Sequence, residues 1–119
     1  MESKEAIDSL AALAQETRLA IYRLLVQAGP EGLAAGAIAE KLQVAPATLS
    51  FHLKELARAG LVTPRTVSRF IYYAASIERM AALMTYLTEN CCGGNPGECL
   101  APMETALSRC VPSTVKDAP

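Results

Sequence analysis

Two short apolar-striped segments joined through the tetrapeptide QVAP constrain this chain more than any other feature of its sequence. "LAAGAIAEKL", from Leu33 to Leu42, reads as a short helix, and "QVAPATLSFHLKELARAGL" follows it directly. Pro46 fits the first turn of a second helix, where a missing amide hydrogen costs nothing. Leu49, Leu53, Leu56 and Gly60 then fall at i, i+4, i+7 and i+11. That helix therefore buries one stripe and presents Ala47, Thr48, Phe51, Lys54 and Arg58 outward, and Gly60 supplies its stop.

The flanking segments extend this pair. Ile7, Leu10, Ala11, Leu13 and Ala14 recur at helical spacing, which predicts a first helix over residues 4 to 14. A second is expected from near Thr17 through Val26, stopped by "AGPEG". In "LVTPRTVSRFIYYAA", β-branched and aromatic residues lie on either side of "PRTVSR", the pattern of a two-stranded hairpin. Ser76 is the expected N-cap of a last long helix through Met80, Leu83, Met84 and Leu87 that runs into a cysteine loop. "APMETALSRC" adds a short terminal helix. The predicted fold is mainly α with a small β-hairpin, in the order of a winged helix-turn-helix.

At 119 residues and 51% apolar content the chain has ample material for a core. No run of about 18 or more apolar residues occurs, and "MESKEAIDSL" lacks the order of a secretory signal, so the expected location is cytoplasmic, with no membrane partner. The formal net charge of −1 is uninformative, but its distribution is not. From Lys41 to Tyr73 the charged side chains are Lys41, Lys54, Glu55, Arg58, Arg65 and Arg69, five basic against one acidic. That segment is locally positive within a mildly acidic protein.

These features predict a reader of double-stranded DNA. Thr48, Ser50 and His52 are short polar groups near the start of the second helix of the pair, suited to base edges in the major groove. Lys54 and Arg58 lie further along, suited to phosphates, and Arg65 and Arg69 flank the expected hairpin tip. Such proteins usually read two half-sites as dimers, which makes the apolar first and last helices the expected homodimer surface.

At "ATLSFHLKELARAGLV" the chain resembles the ArsR/SmtB family of small bacterial metal-sensing repressors. The family form S-x-H-L-x-x-L-x-x-A-G-L is matched by Ser50, His52, Leu53, Leu56, Ala59, Gly60 and Leu61. The likeness extends to "TRLAIYRLL" and to the wing ending in "YY", spanning roughly residues 8 to 88. The resemblance implies a homodimeric winged helix repressor that leaves its operator when a metal or metalloid binds. It departs from the family's arsenite pattern C-V-C, since Ala34, Ala35 and Gly36 stand there.

"NCCGGNPGEC" offers a replacement, with Cys91, Cys92 and Cys99 as three thiols. Thiols stay reduced in a cytosolic compartment, so the cluster reads as a ligand set before a disulfide framework. Trivalent arsenic and antimony are three-coordinate and thiophilic, whereas structural zinc wants four ligands. Resemblance to family members with vicinal cysteines after the last helix again favours As(III). Cys110, eleven residues beyond Cys99, is set outside this site; as a fourth ligand it would favour Zn(II) or Cd(II). The expected organisation is residues 1–90 for DNA binding and dimerisation and 91–119 for metalloid sensing. A redox regulator pairing Cys91 or Cys92 with Cys99 is the alternative of the same fold. An enzyme is not expected, because no C-x-x-C lies beside a βαβ pattern and no acid or base accompanies the thiols.

Overall fold

The computed structural model describes residues 1–94, 96–98 and 100–108. Helix α1 spans Ser3–Leu13 and begins with the Glu2 backbone N–H donating to the Glu5 carboxylate at 2.9 Å, which satisfies a group otherwise left without a partner. That bond, helped by Arg79 at 3.6 Å, holds the Glu5 carboxyl below the usual carboxylate range. Helix α2 covers Glu16–Ala28, and the Gln15 side chain caps it by accepting from the Arg18 backbone N–H at 2.9 Å.

The stretch expected to be helical from Leu33 divides in two. Leu33–Ala34 form a short strand, β1, and only Ala35–Leu42 form helix α3. Leu33 and Ala34 pair antiparallel with Tyr73 and Tyr72, so the folded hairpin offers these two residues a ladder that local sequence does not reveal. Gln43, at φ 56°, closes α3 in the left-handed region, and α4 (Pro46–Arg58) starts with proline in its first turn, as the spacing predicts.

Gly60, at φ 79°, ends α4 while the Leu61 N–H reaches back to the Leu56 carbonyl at 3.0 Å. The wing follows as β2 (Val62–Val67) and β3 (Phe70–Ala75), giving a three-stranded antiparallel sheet in the order β1-β3-β2. Its turn is tighter than "PRTVSR" suggested: Pro64 to Val67 pair with Tyr73 to Phe70, and only Ser68 and Arg69 connect the strands. Helix α5 (Ile77–Thr88) begins as expected, with the Ser76 hydroxyl oxygen accepting from the Arg79 N–H at 3.2 Å.

Ile21 and Leu25 of α2, Ile38 of α3, Leu49, Leu53 and Leu56 of α4, and Leu61 at the wing entrance make one buried cluster. Each such side chain contributes roughly 1.5–3 kcal/mol on burial. The predicted stripe of α4 is thus the seam that fixes it to α2 and α3. The chain divides into two compact units, Met1–Tyr86 and Leu87–Pro119. In the second, Cys91–Gly94 form a helical turn, α6, where an open loop was expected; a 3-10 turn over Pro96–Glu98 and helix α7 (Leu100–Leu107) follow. Among the described residues no helix is long and apolar enough to cross a membrane.

Candidate nucleic-acid interface

The face of α4 opposite its buried stripe is built from small and polar residues and one aromatic ring. Ala47, Thr48, Ser50, Phe51, Lys54 and Arg58 are all exposed. With Leu49, Leu53 and Leu56 anchored in the core, this face is held rigidly, and its first turns carry Thr48 and Ser50 where short side chains allow close approach.

His52 does not join that face. It is only 9% exposed, because it lies three residues after Leu49 and four before Leu56 and so falls on the edge of the buried stripe. Its Nδ1 lies 3.3 Å from the Arg18 Nη1, and Arg18 also donates from Nε to the Ala12 carbonyl at 2.7 Å. One guanidinium therefore ties the end of α1 and the start of α2 to the middle of α4. A guanidinium only donates, so Nδ1 is the accepting atom of this contact. Sequence reasoning missed Arg18. The available signal was the register of His52 with the leucines, which calls for a buried polar partner on a facing helix.

The expected phosphate ligands separate into two kinds. Lys54 is exposed with no ion pair among the described residues, and Arg69 is exposed in the wing turn. Arg58 pairs with Glu55 at 3.0 Å on its own helix, an exposed contact of the kind worth about 0–1 kcal/mol. Arg65 is not beside the tip as predicted. It sits within β2 opposite Tyr72, its guanidinium 5.6 Å from that ring, and it donates to the Glu31 carbonyl at 2.8 Å. The longer strand pairing moves it two residues inward from the turn, where a backbone acceptor and an aromatic face hold it.

A cleft of about 350 Å³ between α1, α2 and α4 is bordered by Lys4, Asp8, Arg18, Glu55 and Arg58. Its rim charges satisfy one another, Lys4 with Asp8 at 3.2 Å and Arg58 with Glu55. It reads as the seam between helices, not as a ligand pocket.

Of the expected thiol set, Cys91 is a half-buried free thiol, and Cys92 follows it in the same helical turn. Cys99 and Cys110 lie outside the described residues. Among the described residues no group of three metal-binding side chains converges.

Residues 13–65 match the helix-turn-helix domain family. The HTH-type transcriptional regulator YceK of Bacillus subtilis is 41% identical over 76 residues, 64% of this chain and 72% of the relative. An ArsR-like transcriptional regulator from Rhodococcus superposes with a TM-score of 0.67 at 28% identity, covering 87% of this chain and 92% of that one. The chain belongs to the helix-turn-helix transcriptional regulators of the ArsR type. A further solved relative of this ArsR-type regulator is described as a possible transcriptional regulator for arsenical resistance. It is 31% identical, with a TM-score of 0.59, and covers 67% of this chain and 80% of that one. The match over residues 13–65 takes in α2, α3, α4 and most of β2, which are the elements that carry the exposed face described above.

Proposed function

We propose that this ArsR-type regulator is a homodimeric repressor that binds operator DNA through α4 and the wing, and releases it when trivalent arsenic is captured by Cys91, Cys92 and Cys99. Trivalent antimony has the same coordination chemistry and is expected to act alike. The DNA-reading part rests on one observation: α4 has a fully buried stripe and, opposite it, an exposed face whose first turns carry only small and polar groups plus one aromatic ring. Thr48 and Ser50 are the base-reading groups of that face, while Lys54, Arg69 and, after leaving Glu55, Arg58 neutralise phosphates. His52 acts from behind it, as a positioning residue held by Arg18. Arg65 braces the wing.

The homodimer is supported by Ile7 and Leu10 on α1, 61% and 43% exposed, and Ile77 on α5, 60% exposed. The effector is supported by the donor chemistry of three soft thiols within nine residues and by the relative described for arsenical resistance. Capture alters DNA affinity only through a difference in metalloid affinity between the DNA-bound and free forms of the dimer.

The test is release of the reduced protein from promoter DNA during titration with arsenite, antimonite, zinc and cadmium, with peroxide in a parallel metal-free series. Arsenite-driven release that is lost in Cys91→Ser, Cys92→Ser and Cys99→Ser, and kept in Cys110→Ser, is the expected result. Release by peroxide alone would replace the metalloid with a thiol-disulfide pair. Loss of the response in Cys110→Ser would point to a four-ligand zinc or cadmium site.

A further inference from the structure

We infer that Phe51 is a specificity-determining residue that reads thymine, by packing its ring against the 5-methyl group in the major groove. This rests on the DNA-reading role of α4 proposed above and assigns it a base and a chemistry. Phe51 is 56% exposed. At 3.6 residues per turn it stands about 160° around the helix from the buried Leu53, at the centre of the outward face. Its neighbours on that face, one turn away, are Ala47, Thr48, Lys54 and Glu55.

Ala47 and Thr48 are too short to shelter an aromatic ring, so the ring stands proud of the surface beside the turns that approach the bases. A merely solvated helix face is served better by Lys, Glu or Gln, which have higher helix propensity than Phe and need no cover. The ring is also held in place. It meets the buried His52 imidazole edge-on, with centroids 5.3 Å apart and planes at 64°, and His52 is itself held by Arg18. Such preorganisation lowers the entropy cost of using the ring for recognition. Among base edges in the major groove the apolar feature is the thymine methyl; the rest are hydrogen-bond donors and acceptors that a phenyl ring cannot satisfy.

The test selects binding sites from random duplex DNA with the full-length protein and with Phe51→Ala, after thermal melts confirm that both fold alike. In the wild-type site, each thymine is then replaced singly by uracil, which keeps every hydrogen-bonding group and removes only the methyl. The expected result is a loss of about fourfold per methyl at one or two positions in each half-site for the wild type, the size expected for one buried methyl group. Phe51→Ala should be indifferent at those positions, while Phe51→Leu should keep part of the preference. Equal losses in wild type and Phe51→Ala, or no loss at any thymine of a well-defined site, would overturn the assignment and leave the DNA-reading role standing. Failure of the wild type to enrich any sequence would overturn that role, and this inference with it.

Discussion

Tyr22 places a phenol where water does not reach. It is 5% exposed, its hydroxyl has no hydrogen-bond partner among the described residues, and burial pushes its ionisation above the ordinary tyrosine range. The folded state therefore favours the neutral phenol. With the folded pKa raised, its contribution is complete below the unfolded value of about 10 and is lost as pH climbs through the folded value. Urea titrations of the parent and of Tyr22→Phe should agree within about 1 kcal/mol at neutral pH, or favour the variant, because an unpaired buried hydroxyl contributes nothing. Above about pH 10 the parent alone should weaken by this route. A parent curve that follows Tyr22→Phe through the alkaline range would show that the phenol is solvated or hydrogen-bonded. Arg18 and His52 present the opposite residue-scale solution, two polar groups that satisfy each other between helices.

Among the described elements, the two-residue strand β1 is the shortest, and its entry depends on a glycine. Gly32 enters it at φ 75°, and a Cβ there would run into the Tyr73 carbonyl oxygen of the neighbouring strand. Gly32→Ala should therefore cost about 2 kcal/mol or more, since both the backbone angle and the close approach to β3 require glycine. Gly36 makes the contrast, four residues away in α3, with open space where its Cβ would stand and no left-handed φ. Gly36→Ala should stabilise by about 0.5–1 kcal/mol through helix propensity. Paired denaturant midpoints decide both. A neutral Gly32→Ala would mean that β1 is not clamped to the wing.

At the scale of the whole molecule, the surface left uncovered on α1 is what a partner subunit would take. Ile7 and Leu10 lie within one turn of each other and are exposed, so charging both should leave the fold of Met1–Tyr86 intact while abolishing association. The doubly substituted Ile7→Glu, Leu10→Glu protein is expected to sediment as a monomer with an unchanged circular dichroism spectrum. Its operator affinity should fall by about 100-fold or more, because two linked half-sites gain from effective concentration and one does not. A variant that stays dimeric would place the interface elsewhere.

Elements whose signals are local could be read from the order of residues. The leucine spacing of α4, Pro46 at its start, Gly60 at its stop and Ser76 before α5 each act within one or two turns, and each element stands where its spacing predicts. The outward positions Ala47, Thr48, Phe51, Lys54 and Arg58 were legible for the same reason, since a buried stripe fixes its opposite face. The rest depends on contacts between distant parts of the chain. Leu33 and Ala34 are a strand because β3, some forty residues later, offers them hydrogen bonds. Arg65 is drawn off the wing tip because its ladder runs two residues further than turn chemistry suggests, bringing it to Tyr72 and the Glu31 carbonyl. His52 is turned inward because Arg18, thirty-four positions earlier, supplies the partner that makes burying an imidazole affordable. Periodicity marks which side of a helix is wet, but only the assembled neighbours decide which polar groups at its edge find partners inside.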